Sequence, residues 1–393
     1  MNKQSYLIIR NGTVLTPERE IKDGIVIVLG DKIVDIGKRG EVEEPVNSEI
    51  VDASNGYISP GLIDIHVNGA MGADVTKIEP DTFSVMGNFF VKHGTTSYLA
   101  TAITSGDKDF IKVLEQARDY MLNDNIDGAE LMGIHMEGPY LSPVQSGAHP
   151  REFLSLPKPE HYMQFLEFSD VLKKMTLAPE LEGAAQLVKD LKSKGIIAAA
   201  GHANGIYPEM IAAINAGITH GTHFFCNMSH FRRDGLKRVA GVVESLLYDD
   251  RVTAEMIGDG WHVGPLLMKL LVKVKGIDRV CFVTDAMSAA GLPDGNYTLG
   301  DVEAIVEKGI ARLPDNSAYA GSVTSMDVCV RTGINQVGLS LVDAIRMSSL
   351  TPAKIIGIDN RKGSLEKRKD ADITIFDRNL KVKRTISRGK IMY

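Results

Sequence analysis

Cysteine is scarce in this chain: 393 residues carry three, Cys226, Cys281 and Cys329. No pair has metal-ligand spacing, and an odd count is no disulfide framework, which leaves buried free thiols in a reducing compartment. Long apolar runs are absent as well. Nothing approaches the ~18 residues of a membrane span. The short run Leu7-Ile8-Ile9, closed by Arg10, is too brief for the core of a signal peptide. A cytoplasmic chain with no membrane partner is expected. Charge of one sign is not in excess either: 44 basic against 50 acidic residues give a net charge of −6, which excludes the basic footprint of a nucleic-acid binder. An anionic substrate would need a local cationic pocket working against that balance. Fixed-period repeats and low-complexity segments are also missing.

What is present is ordinary globular composition, 44% apolar and 24% charged. The length exceeds one average domain but fits one large barrel plus a small module. The first ~55 residues read as short strands, Tyr6–Ile9, Gly24–Val28 and Lys32–Ile36, punctuated by turns at Asn11-Gly12 and Gly30-Asp31. From Tyr57 onward, apolar strands alternate with helices. The spacing predicts helices over Asp81–His93, Gly183–Lys194 and Pro208–Ala216, with Gly94, Gly195 and Gly217 as stops. Repeated helix-glycine-strand units imply parallel strands. A (β/α)8 barrel over residues 58–357 is the leading choice, and a doubly wound sheet is the alternative. After a helix around Leu341–Ser349, strands return at Asp372–Phe376 and Val382–Ile386. They need partners, and the N-terminal strands are the obvious ones. The expected division is therefore 1–57 with 358–393 as a small β-domain, and 58–357 as the barrel.

The strand ends carry the chemistry. His66, Glu137 in His135-Met136-Glu137-Gly138-Pro139, His202 in Gly201-His202, His223 in Thr219-His220-Gly221-Thr222-His223, and Asp285 in Thr284-Asp285-Ala286 each close a β-like run. In a barrel all such ends face one mouth, so residues far apart in sequence converge. One carboxylate with two imidazoles forms a three-ligand site for a divalent metal with a position left open for water. A free carboxylate beside it can take that water's proton. Zn²⁺ suits these donors, and Fe²⁺, Mn²⁺ and Co²⁺ also tolerate them. His66 and Asn68 stand where a His-x-His pair would supply a second metal. The amide is a weak ligand, so a single metal is expected, with His66 a possible helper of a second ion. His149 and His262 lie in loops placed to contact substrate. The basic stretch Arg232-Arg233 to Lys237-Arg238 is the available cationic loop.

With these motifs in view, the chain resembles the N-acetylglucosamine-6-phosphate deacetylases of the amidohydrolase superfamily over nearly its whole length. Pro60-Gly61-Leu62-Ile63-Asp64, the His-x-Glu-Gly-Pro motif at 135–139, Gly201-His202, Thr219–His223, Asp259-Gly260-Trp261-His262, Thr284-Asp285-Ala286-Met287, Ala320-Gly321-Ser322 and Lys369-Asp370-Ala371-Asp372 follow in the family's order. The resemblance implies a (β/α)8 barrel with a β-sandwich made from both chain ends. It implies Glu137, His202 and His223 as ligands of one metal per subunit, Asp285 as catalytic acid and base, and His149 as the group that polarises the acetyl carbonyl. His220 is not a ligand in that family. Ala148, His149, Cys226, Asn227, Arg238, His262, Tyr319, Ala320 and Gly321 match substrate-lining positions. The implied substrate is a phosphorylated N-acetyl amino sugar, and the implied assembly is a homodimer with an arginine shared across the interface.

Two departures follow His223. Relatives have Asn-Ala where this chain has Cys226-Asn227. Their Arg-Glu-Pro-Gly motif is matched here only by Arg238-Val239-Ala240-Gly241 after a longer loop. Arg238 is the first choice for the phosphate and Arg233 the reserve. N-acetylgalactosamine 6-phosphate, differing at one hydroxyl, is the alternative substrate. Another amidohydrolase reaction on an N-acyl or cyclic amide is a more distant one, since Asn68 and Glu137 do not fit the usual His-x-His and carboxylated-lysine pattern. A barrel kept only for assembly would have lost its ligands.

Overall fold

A computed structural model describes residues 6–123 and 127–393. Its central feature is an eight-stranded sheet: Leu62–Val67, Thr95–Ile103, Glu130–Glu137, Leu172–Leu177, Ile197–Ala200, His220–Gly221, Thr253–Ile257 and Val280–Val283. Each strand pairs in parallel with the next in sequence. These strands are almost wholly buried because both faces are covered, one by the barrel interior and one by helices.

Among the described residues, one α-helix lies in each strand-to-strand connection, Thr82–Lys92, Asp107–Met121, Pro159–Leu166, Ala184–Ser193, Tyr207–Ala216, Val242–Tyr248 and Pro265–Lys275, and three follow the last strand, Met326–Thr332, Leu341–Met347 and Leu350–Ile355. The barrel expectation is met, and the doubly wound alternative is not. The three helices predicted by spacing lie within one residue of their expected ends. Gly94 shows why a helix stops there. Its φ is 79°, and a Cβ would stand 2.6 Å from Thr374 of the C-terminal strand. The stop is thus also a point of contact with the second sheet.

First and last barrel strands meet at a seam closed by loop backbone and side chains. The N–H of Asp285 donates to the His66 carbonyl at 2.9 Å, and that of Asn68 to the Ala286 carbonyl at 2.7 Å. Thr284 Oγ1 donates to Asp64 Oδ2 at 2.5 Å. Burial pushes the Asp64 carboxyl up to about 6, against its hydrogen bonds from Thr284 and His66. The seam therefore locks the two candidate residues His66 and Asp285 to each other.

Both chain ends build a second eight-stranded sheet. Its order runs Lys390–Ile391, Val382–Ser387, Ile373–Phe376, Tyr57–Pro60, Tyr6–Leu15, Glu20–Leu29 and Lys32–Lys38, with Glu49–Asp52 also on Tyr6–Leu15. The C-terminal strands thus find their N-terminal partners through Tyr57–Pro60, which pairs antiparallel with Ile373–Phe376. The Lys369–Asp372 motif is explained at the junction. Lys362 is buried and sits 2.5 Å from Asp372, 2.7 Å from Glu130 and 3.1 Å from Asp370. It ties the start of the third barrel strand to the second sheet. Among the described residues, no helix is long and apolar enough to cross a membrane.

Candidate active site at the barrel mouth

Three histidine and carboxylate positions need an unusual backbone. His202, His223 and Asp285 have φ of 48°, 26° and 50°. Non-glycine residues avoid this region at a cost of ~1–3 kcal/mol each. All three stand just past their strands, where such a turn keeps the side chain at the mouth instead of letting it follow the strand's alternation.

The turns bring the predicted residues together. His202 Nε2 lies 3.2 Å and His223 Nε2 2.8 Å from Glu137 Oε1, and the two nitrogens are 3.0 Å apart. A tetrahedral ion with nitrogen and oxygen bonds of ~2.0–2.1 Å would set such edges at roughly 3.3 Å, so the donor set fits one. His202 Nδ1 donates to the Gln145 carbonyl at 2.8 Å, which leaves Nε2 to face the triangle. Burial raises the Glu137 carboxyl, but the imidazoles of His66, His202 and His223 outweigh it and hold it well below the usual range. A looser grouping of Glu137, His149 and His202, with ligand atoms within 4.8 Å, also exists. The tighter triangle with His223 is the better cradle, because His149 is oriented for something else.

That orientation is set by Thr104. Its backbone N–H reaches His149 Nδ1 at 3.2 Å, and its hydroxyl lies 2.9 Å away. Nδ1 is therefore the acceptor, and in the neutral ring the hydrogen sits on Nε2, 3.7 Å from Glu137 Oε2. Burial, then the neighbouring His202, push this imidazole down to about 3, so it is neutral. It presents an N–H donor to the cavity.

His66 and Asn68 take roles the sequence left open. His66 Nε2 lies 3.3 Å from both Glu137 Oε2 and Asp285 Oδ1 with no hydrogen-bond partner. Burial opposes its charge, yet the carboxylates of Glu137, Asp285 and Glu255 push it up to about 10. Asn68 Nδ2 donates to Asp285 Oδ1 at 2.7 Å. Its amide thus holds Asp285, while its Oδ1 is unpartnered.

A cavity of about 250 Å³ opens above the triangle. Of the predicted substrate positions, Ala148, His149, Cys226, Asn227, His262, Tyr319 and Gly321 line it, and Ala320 is buried behind. His262 is held by Asp259 Oδ2 at 2.7 Å and packs against the Tyr319 ring at 4.4 Å. Arg233 and Arg238 do not line it. They pair across an exposed hairpin, Arg232–Asp234 with Lys237–Val239, and no lysine or arginine stands among the lining residues.

Sequence reasoning missed several elements. A three-stranded insertion, Gly295–Leu299, Val302–Glu307 and Ile310–Arg312, supplies Leu299 to the cavity wall. Thr104 was missed, and so was the buried pair Lys174 and Glu255 below the triangle. A single charge inside Ala254-Glu255-Met256-Ile257 was the available signal for Glu255.

An eight-stranded parallel barrel with buried imidazoles and carboxylates at its C-terminal mouth defines the class of barrel hydrolases that work around a divalent metal. The chain belongs to the amidohydrolase family, whose model matches residues 57–392. N-acetylglucosamine-6-phosphate deacetylase of Bacillus subtilis (strain 168) is 34% identical over 98% of this chain and 97% of its own. N-acetylgalactosamine-6-phosphate deacetylase of Escherichia coli O157:H7 is 32% identical over 88% and 91%. The crystal structure of N-acetylglucosamine-6-phosphate deacetylase from Pasteurella multocida superposes with a TM-score of 0.91 at 32% identity, covering 98% of this chain and 99% of that one.

Proposed function

We propose that this chain hydrolyses the N-acetyl group of N-acetylglucosamine 6-phosphate to glucosamine 6-phosphate and acetate. The single observation that carries the chemistry is the Glu137–His202–His223 triangle with Asp285 beside it. The gluco sugar is favoured over the galacto epimer by the higher identity and fuller coverage of the matched deacetylase. Glu137, His202 and His223 would hold one divalent ion, Zn²⁺ or Fe²⁺ first and Mn²⁺ or Co²⁺ with the same donors. When bound, that ion polarises the amide carbonyl and makes water acidic enough to attack at neutral pH.

The chain's own residues do the rest. Asp285, steadied by Asn68, takes the proton of the attacking water and then delivers it to the departing amine. His149, kept neutral, donates from Nε2 to the carbonyl oxygen as charge builds there. His262 and Tyr319 form the wall against which the sugar rests. The phosphate needs a cation that the cavity lining lacks. Arg238, with Arg233 in reserve, would come from the hairpin of a second subunit. That homodimer reading draws support from exposed Phe231 and Leu236 on the hairpin, and from Leu266, Leu270 and Val274 along one helix face. In this reading residues 58–357 form the catalytic unit, and 1–57 with 358–393 form its companion, whose sheet also takes in the strand Tyr57–Pro60.

Acetate release from the 6-phosphates of N-acetylglucosamine, N-acetylgalactosamine and N-acetylmannosamine, each beside its unphosphorylated sugar, tests this. Fastest turnover of the phosphorylated gluco sugar, lost on chelation and restored by metal, is expected. Chelator-insensitive turnover, or none with any of these sugars, would overturn it.

A further inference from the structure

Beneath the triangle, the barrel interior holds a second polar layer that the proposed reaction does not use. At its centre is Glu255, fully buried on the strand Thr253–Ile257. Its Oε1 accepts from Lys174 Nζ and, at 2.9 Å, from His220 Nε2. Its Oε2 accepts from His66 Nδ1 at 2.9 Å and from the backbone N–H of His223 at 3.1 Å. Lys174 also donates to the Ile65 carbonyl at 2.9 Å. One oxygen is thus tied to the barrel and the other to the mouth.

The mouth-facing oxygen has two effects. An ionised carboxylate only accepts, so His66 Nδ1 must carry a hydrogen, and the ring turns Nε2 toward Glu137 and Asp285. The bond to the His223 N–H pins the peptide of a residue held at φ 26°. Stability alone does not account for the arrangement. A buried ion pair gains little over apolar residues of similar volume, because its Coulomb attraction is offset by desolvation. Partners behind a metal site do have a clear use, since they orient its ligands, and Glu255 reaches the main chain of His223 and the His66 ring that faces Glu137.

We propose that Glu255, braced by Lys174 and His220, is a positioning residue of the metal centre, fixing the His223 main chain and the direction of the His66 ring. The inference rests on reading Glu137, His202 and His223 as the ligands.

Two double variants test it. Glu255→Met with Lys174→Met removes both charges together, so no unpaired ion is left buried. Glu255→Gln with Lys174→Met keeps one acceptor oxygen. Zn²⁺ is the probe, its Kd read by competition with a chelator, with the Tm of each metal-free protein measured alongside. The expected result for the methionine pair is a metal-free Tm close to that of the parent with zinc bound ~10–100-fold more weakly. At saturating zinc, kcat falls while KM holds. The glutamine pair should fall between the methionine pair and the parent, and it carries the test alone if the methionine pair does not fold. Parental zinc affinity in either variant overturns the assignment. A parent protein that binds no zinc overturns the ligand reading instead, which keeps the two failures apart.

Discussion

Asn68 donates a 2.7 Å hydrogen bond from Nδ2 to Oδ1 of Asp285, across the seam where the first and last barrel strands meet. The residue standing in the place of a second metal ligand thus holds the proposed acid and base. A hydrogen bond to a charged group contributes ~1.5–3 kcal/mol. Asn68→Ala should therefore lower kcat by roughly 10–100-fold with bound metal unchanged, by steady-state kinetics and metal analysis. Loss of metal with the activity would show that Asn68 serves the metal instead.

Asp285→Asn should keep the shape of the site while removing its proton acceptor. General acid–base groups are worth ~10²–10⁴ in rate. A kcat lowered by that factor with the divalent metal still bound is expected. Turnover near the parental rate would end the role assigned to Asp285.

The proposed phosphate clamp is read through KM. Arg238→Ala should weaken the phosphorylated sugar by about 2–3 kcal/mol, roughly 30–150-fold, and leave the unphosphorylated sugar unchanged. Mixing this variant with Asp285→Asn should restore activity if the arginine acts across subunits, because one site of the mixed dimer is then whole. The same loss in Arg233→Ala but not in Arg238→Ala would move the role to the reserve residue.

Lys362 meets Glu130, Asp370 and Asp372 at the junction of the two sheets. Removing one partner of a buried ion cluster leaves uncompensated charge, at a cost of about 3–5 kcal/mol. Lys362→Met should show that loss in urea unfolding of the metal-free protein. A loss below ~1 kcal/mol would mean that Arg361 and Lys32, which already pair with Glu130 and Asp370, compensate the carboxylates.

Asp327 gives the acid prediction. Burial raises its carboxyl, but His93 at 3.0 Å, Ser325 at 2.6 Å and Arg331 at 2.9 Å outweigh it and hold it at about 2. A depressed folded-state value contributes stability above the unfolded value of ~4, and that stability is lost as pH falls toward 2. The amount is on the order of 2 kcal/mol. Asp327→Asn should lose it at pH 7 and flatten the stability curve between pH 4 and 2, measured without metal. An unchanged acid slope would place the linkage elsewhere.

The barrel and its candidate ligands were legible because their signals are local. A glycine after an amphipathic helix, or Glu137 at the end of an apolar run, can be read within a dozen residues. The strand ends then converge by the geometry of the barrel itself. Asn68 as the partner of Asp285, Thr104 as the selector of the His149 tautomer and Glu255 as the hub below the site were not legible in that way. Each depends on a contact between residues tens to hundreds of positions apart, and a hydrogen bond of 2.7–3.2 Å has no sequence period.

By itself, then, the sequence determined the alternation that closes a parallel barrel, the residue types at its mouth and the β-strands at both ends. Only the tertiary structure decided which atom of each residue faces which, and which arginines stay out of the cavity. The physical reason is that burial pattern and backbone propensity are properties of neighbouring residues. Orientation, tautomer and proton affinity are set by whatever the fold brings alongside.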